Sequence, residues 1–357
     1  MYLLIWVITT FISCLLWTKI NKKIIVGILI LILAIFAGGR IYVDRDHLMY
    51  EVLFRRALFS YIYFIRKEPN IEIAVYIIPN ILKLFFSDTL SIINASFIVF
   101  AFMGVSIKMI AISRKSKSFF ISVFLYFGYL YLMQEMTTIR AGVASGLFLF
   151  MLSAYDEKRY KTLIFLLLLS FMFHYSSVLF IVIFLIIHTK VSYRTLLIAL
   201  CVSLAIALLH YNILRFSFLK SLFPKVQEYN KLQDLEVGDK LNLFNFHVLF
   251  SFGTLILFSI YKKNFINDSL FDILLKIHII SLIFFYLFST AQITFSIRSY
   301  ELIASYQLFL YPYLLFITPI RFRIIPFIIL IIYGIIQYYY LIDYSGIFKD
   351  YQSWITI

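Results

Sequence analysis

The chain has 357 residues, 63% of them hydrophobic and 14% charged, with a mean hydropathy of +0.95. Soluble globular domains do not have this composition, and apolar runs of bilayer-crossing length recur from residue 2 to residue 342, with interruptions too short for an ordinary soluble domain. The net charge of +14 does not point to nucleic acid, because Lys and Arg collect in short loops, as in cytoplasmic loops of membrane proteins, and no basic domain exists to carry such binding.

A single all-α integral membrane domain over 1–357 is therefore predicted, a polytopic helix bundle. Tyr2–Trp17 lacks a basic leader and a small-x-small cleavage site, which predicts a first membrane helix rather than a cleaved signal. Lys19, Lys22 and Lys23 place the following turn on the cytoplasmic side, and Ile24–Gly39 returns outward. The outer segment 40–89 opens with Arg40, Asp44, Arg45, Asp46, His47, Tyr50 and Glu51, crowded at a helix exit. The rest of it, amphipathic and carrying Pro69 and Pro79, is expected to lie on the surface or re-enter rather than span.

Leu90–Ile112 crosses inward to Arg114 and Lys115, and Phe119–Met133 crosses back to Gln134–Arg140. Thr137 or Thr138 can cap the next helix, with Arg140 in its first turn. A guanidinium at a helix start is suited to an anion such as phosphate. Gly142 and Gly146 form a GxxxG pattern that allows close helix contact.

Leu163–Ile187 is 25 residues, long for one crossing and short for two, with His174-Tyr175-Ser176-Ser177 at its middle. A continuous helix puts His174 near mid-membrane, whereas a break makes a re-entrant pair that displays it in a cavity. Charge counting does not decide between these, with six inside cations for the broken form and seven for the continuous one. The broken form is preferred because its six lie in tight turns, where the positive-inside rule applies best. It gives about ten full crossings plus the broken pair, an external segment at 210–244 and both termini outside. A third polar group, Arg298, Tyr300 and Glu301, then falls on the outer side, where an Arg298–Glu301 pair one helical turn apart is the plainer account of two of its members. A solvated loop at 40–51 and a snorkelling Arg140 are the corresponding plain accounts of the other clusters.

Converging arginines from Arg40, Arg140 and Arg298 suit a diphosphate or another anionic group, and a carboxylate or histidine beside them can take a proton from an attacking hydroxyl. Zinc spacing, a Walker A loop and a Gly-x-Ser-x-Gly elbow are all missing from the sequence. Gly39-Arg40…Asp44…Asp46…Tyr50, then Glu135…Ile139-Arg140-Ala141-Gly142, then Phe173-His174-Tyr175-Ser176-Ser177 resembles the EpsG/Wzy-type bacterial polysaccharide polymerases across most of the chain. Those relatives often carry Gln where Ala141 stands and Pro where Tyr175 stands; the second departure weakens the expectation of a helix break.

The resemblance implies a GT-C-like glycosyltransferase of the bacterial cytoplasmic membrane, acting in O-antigen, capsule or exopolysaccharide synthesis. It implies transfer of a growing glycan from undecaprenyl diphosphate to the terminal sugar of a new lipid-linked repeat unit, at the outer face. Its partners would be undecaprenyl-diphosphate-linked oligosaccharides, the bilayer, and the chain-length regulator and flippase of the same pathway. No cofactor is implied, and no metal is required where arginines neutralise the leaving group. Arg40, Arg140, Arg298, Tyr50 and Tyr300 are then the substrate-binding candidates, and His174, Asp44, Asp46 and Glu135 the catalytic ones, with the choice of base left open. A flippase, an O-antigen ligase and a membrane O-acyltransferase are the alternative functions.

Overall fold

The computed structural model describes residues 1–15, 20–211, 241–289 and 293–355. Most of the expected external segment 210–244 lies outside the described residues. In chain order the helices are α1 (Tyr2–Cys14), α2 (Lys22–Gly38), α3 (His47–Ala57), α4 (Tyr61–Lys67), α5 (Ala74–Leu82), α6 (Thr89–Lys115) and α7 (Phe119–Leu125). They continue with α8 (Ile139–Asp156), α9 (Tyr160–Phe173), α10 (Val178–His188), α11 (Tyr193–Leu208), α12 (Phe246–Ile260), α13 (Ser269–Ser289), α14 (Ile293–Ile303) and α15 (Ile324–Tyr339). Among the described residues, four helical stretches are long and apolar enough to cross a bilayer: Thr89–Lys115, Phe119–Thr137, Ser269–Ser289 and Ile320–Tyr344. The protein is an all-helical membrane protein. Against an expectation of about ten full crossings plus a broken pair for the whole chain, the other apolar helices described are shorter, 10–17 residues. The chain forms two compact units, Met1–Ser177 with Leu308–Ile357, and Val178–Gln307.

In the first unit polar contacts tie the helix ends together. The Lys22 ammonium donates to the Ser113 carbonyl, and Lys115 reaches Asp156 at 3.6 Å and Glu157 at 2.8 Å. The start of α2 and the ends of α6 and α8 therefore lie at one end. The end of α2 and the start of α8 meet at the other, where Arg40 donates to the Met136 carbonyl. Asn21 and Asp88 cap α2 and α6 by accepting from the Lys23 and Ser91 amides at 2.9 and 2.7 Å. Between Glu51 and Thr89 the chain makes only the end of α3 and the short α4 and α5. Asn80 ties α5 to α3 by donating to the Ala57 carbonyl at 2.8 Å.

α7 continues as a π-helix over Tyr126–Thr137, an unusual widened turn that places Gln134 and Glu135 inside the unit. Thr138 occupies the cap position of α8 without capping it. Its hydroxyl donates to the Met133 carbonyl at 3.0 Å instead, so the expected threonine cap is not made. The expected close contact at Gly142 and Gly146 is present: Gly142 lies against the Gln134 carbonyl, and Gly146 against Ile107 and Lys108 of α6.

The apolar run 163–187 is broken at His174. α9 stops at Phe173, His174 is extended (φ −154°, ψ 115°), and Tyr175–Ser177 form a 3-10 turn. In the second unit α13 carries a buried polar thread. His278 meets the Tyr306 hydroxyl at 2.6 Å and the Ser251 carbonyl at 2.8 Å, and the Ser251 hydroxyl meets that of Tyr300 at 2.8 Å.

Gly142→Ala should lower the midpoint of thermal unfolding in detergent, at a cost of about 1–3 kcal/mol, because the added methyl overlaps a backbone carbonyl. Gly27→Ala, whose methyl meets nothing within 4 Å, should not lower it.

Candidate functional site

The cluster where α2 ends and α8 starts is built around a residue absent from the sequence-derived candidates. Glu72, just before α5, has a side chain with 0% exposure. One of its oxygens, Oε2, accepts from the Arg140 guanidinium at the start of α8. The other, Oε1, lies 3.1 Å from His174 Nδ1 and accepts from the Tyr175 amide at 3.1 Å. The Tyr175 hydroxyl in turn donates to the Ile71 carbonyl at 3.2 Å. The break after α9 frees backbone groups, and the carboxylate accepts from one of them, the Tyr175 amide. The break thus forms with Tyr175, and not a proline, after the histidine.

Burial raises the Glu72 carboxyl, but the Arg140 charge and the His174 hydrogen bond outweigh it and hold the group below the ordinary carboxylate range. Glu72 is therefore an anion, which can only accept, so His174 Nδ1 carries the proton toward it and the basic lone pair of the neutral ring is on Nε2. The Arg140 Nε donates to the Tyr50 hydroxyl at 3.3 Å, and its guanidinium lies 5.5 Å from the centre of the Tyr50 ring. Nε and Nη1 are thus engaged, while Nη2 has no hydrogen-bond partner among the described residues. The Arg140 and His174 side chains keep 14% and 22% exposure. A buried carboxylate with two partly open cationic or basic partners can hold an anion on one side and move a proton on the other.

Arg40 behaves differently. It is completely buried, donating through Nε to Asp44 at 2.7 Å and through Nη1 to the Ala37 carbonyl at 2.6 Å, with its charge 5.2 Å from the Phe97 ring centre. The expectation that Arg40 touches an anion directly does not fit this inward placement. Asp44, whose side chain has 0% exposure, is engaged by Arg40 and accepts from the Asp46 amide at 3.1 Å. Asp46 is part-exposed at the start of α3 and, with Glu72, adds to the effect of burial in raising the Tyr50 phenol, against the pull of Arg140. His47 stacks on Phe97 at 4.4 Å, and burial pushes its imidazole down to about 4, so it is neutral at pH 7.

Residues after α15 strap the Arg40 loop in place. Ile41 and Lys349 amides donate to the Gln352 and Val43 carbonyls at 3.0 and 2.8 Å, and the Trp354 amide donates to the Gly39 carbonyl at 3.1 Å. Tyr351 stacks on Phe36 at 4.1 Å. Tyr42, between these bonds, has φ 51°, a left-handed conformation that a bulky residue adopts only when its surroundings hold it there.

Glu135 is a core residue. Its Oε1 accepts from Lys108 Nζ at 2.5 Å and from the Tyr126 hydroxyl at 2.9 Å, and Lys108 also donates to the Gly142 carbonyl at 2.5 Å. Arg298 and Tyr300 belong to the second unit, with Arg298 exposed on α14 and Tyr300 buried between Ser251 and Gln307. Two functional-looking residues, Glu72 and Lys108, were missed from sequence. Both had a signal: Glu72 is the one charged residue between Glu68 and Lys83, and Lys108 the one charged residue inside Leu90–Ile112.

Residues 23–355 match the model of the EpsG family. No curated protein and no solved structure matches the chain.

Lys108→Met should destabilise the protein by about 3–5 kcal/mol, because it leaves the Glu135 carboxylate buried and unpaired. Lys108→Met combined with Glu135→Leu should recover most of that loss in thermal unfolding measured in detergent.

Proposed function

The chain belongs to the EpsG family, and from that membership we propose that it is a glycosyltransferase polymerising lipid-linked oligosaccharide repeat units. In this reading it works at the outer face of the cytoplasmic membrane and moves the growing glycan from undecaprenyl diphosphate onto the terminal sugar of a new lipid-linked unit. The observation that carries the reading is the joining of Arg140 and His174, both part-exposed, through the two oxygens of one carboxylate.

Arg140 offers Nη2 to the lipid diphosphate. His174 Nε2 takes the proton of the acceptor hydroxyl as its oxygen attacks the anomeric carbon. The bond from that carbon to the diphosphate oxygen breaks, its electron pair leaves with the diphosphate, and Arg140 stabilises the charge that develops there. That charge is larger in the transition state than in the ground state, so a fixed cation accelerates the step. The proton leaves His174 for the released lipid diphosphate or the surrounding water. The guanidinium supplies the neutralising charge, and the step as written needs no metal. Asp44 is tied to Arg40 and Glu135 to Lys108, which favours His174 as the base. Arg40 and Asp44 hold the loop that leads into α3 and Tyr50.

Arg140→Ala and His174→Ala, each present in the membrane at normal levels, should leave cells with single-repeat rather than polymeric surface glycan, with polymer formation down by about 10²–10³-fold. Normal polymer from both variants would overturn these roles. Translocation of lipid-linked units by the reconstituted protein without lengthening them would favour a flippase.

A further inference from the structure

We propose that Glu72 is the positioning residue of this site, setting the proton position on His174 and the reach of Arg140 with the two oxygens of a single carboxylate. The inference rests on the proposed polymerase reading for its kinetic consequence, and on geometry alone for its structural one. Oε1 lies at His174 Nδ1 and at the Tyr175 amide, both at 3.1 Å, while Oε2 receives the Arg140 guanidinium. A carboxylate cannot donate, so the imidazole must present its proton to Glu72 and its lone pair on Nε2. The same charge favours the imidazolium that forms when Nε2 takes a proton, as an acid beside a catalytic histidine does in general.

Arg140 has a second hold, the Tyr50 hydroxyl at 3.3 Å, so Glu72 and Tyr50 together fix the guanidinium plane. An anion arriving at Nη2 draws positive charge away from Glu72. The carboxylate is then left with more of its charge for the histidine, so that filling the anion side strengthens the base side. Charged and titratable groups near His174 include Glu72 ahead of α5, Arg140 on α8, and Tyr175 beside it; Tyr61 on α4 acts on Tyr175, and Arg140 and Asp46 act on Tyr50 at α3. Glu72 is in direct contact with the ring, Oε1 to Nδ1.

The test uses the full-length protein in detergent or nanodiscs. Nitrogen chemical shifts of ¹⁵N-histidine protein, with His174 assigned by comparison with His174→Gln, should show the Nδ1–H tautomer in the wild type. The Nε2–H tautomer would overturn the proposal without any Glu72 variant. In Glu72→Gln the His174 ring should titrate at a pH lower by about one unit or more. With lipid-linked repeat units as substrate, the acid limb of kcat should move the same way and kcat should fall at least about 100-fold. Glu72→Asp, which keeps the charge at shorter reach, should fold and keep the acid limb near the wild-type position with a smaller loss of kcat. An unmoved ring titration and an unmoved acid limb in Glu72→Gln would overturn the inference. A wild-type protein that lengthens no substrate would overturn the polymerase reading, and the ring titration would still decide the role of Glu72.

Discussion

A carboxylate removed from water has to be satisfied by the protein or not be charged at all, and Glu72 is satisfied three times over. An arginine from one piece of chain, and a histidine with the backbone amide of the next residue from another, converge on its two oxygens. Each partner is thereby placed. α8 begins with its arginine turned toward the residue ahead of α5, and α9 ends where the Tyr175 amide can be accepted. The extended residue between α9 and the 3-10 turn sets its imidazole Nδ1 against the carboxylate. Removing the carboxylate would leave a buried amide without an acceptor and a guanidinium without its main counter-charge. The loss of any one contact would therefore spread to the others.

A second buried charge pair supports the first. Arg40 and Asp44 are sealed under Phe97 and held by the strap of residues after α15, which also fixes Tyr42 in its left-handed conformation. This loop leads into α3, and α3 carries the Tyr50 hydroxyl that Arg140 uses. Lys108 and Glu135 form a third pair, deeper in the unit, where Gly104 and Gly142 leave just enough room for the Glu135 carboxylate. The three pairs form a gradient of access. Arg40–Asp44 and Lys108–Glu135 are closed and structural, and only the Arg140–Glu72–His174 group retains part-exposed members.

The membrane class was legible from hydropathy, and so were the close approach at Gly142 and Gly146 and the break at His174. Each follows from a local rule of composition, helix-breaking or small-residue packing. Arg140 and His174 were legible as costly residues at depth. Their shared partner was not, because Glu72 lies 68 positions before Arg140 and 102 before His174 and sits in a stretch that reads as a surface helix. The same cost-of-burial rule, applied to every isolated charge, would have picked out Glu72 and Lys108 too. What it cannot give is partner choice. Arg40 and Arg140 are alike in sequence, yet one is sealed by a neighbour four residues on and the other is held by a distant carboxylate. Arg298 shows the remaining gap, since its place in a separate compact unit is a matter of tertiary division and not of local pattern.

The central claim is that the partly open side of this carboxylate-linked pair is where a lipid diphosphate sits. An experimental structure of the protein with a lipid-diphosphate-linked repeat unit bound tests it most directly. The account predicts diphosphate oxygens on the Arg140 guanidinium, the His174 ring still on Glu72, and its Nε2 facing the sugar side of the ligand. A diphosphate bound elsewhere, with Arg140 making only the Glu72 and Tyr50 contacts it makes already, would contradict it.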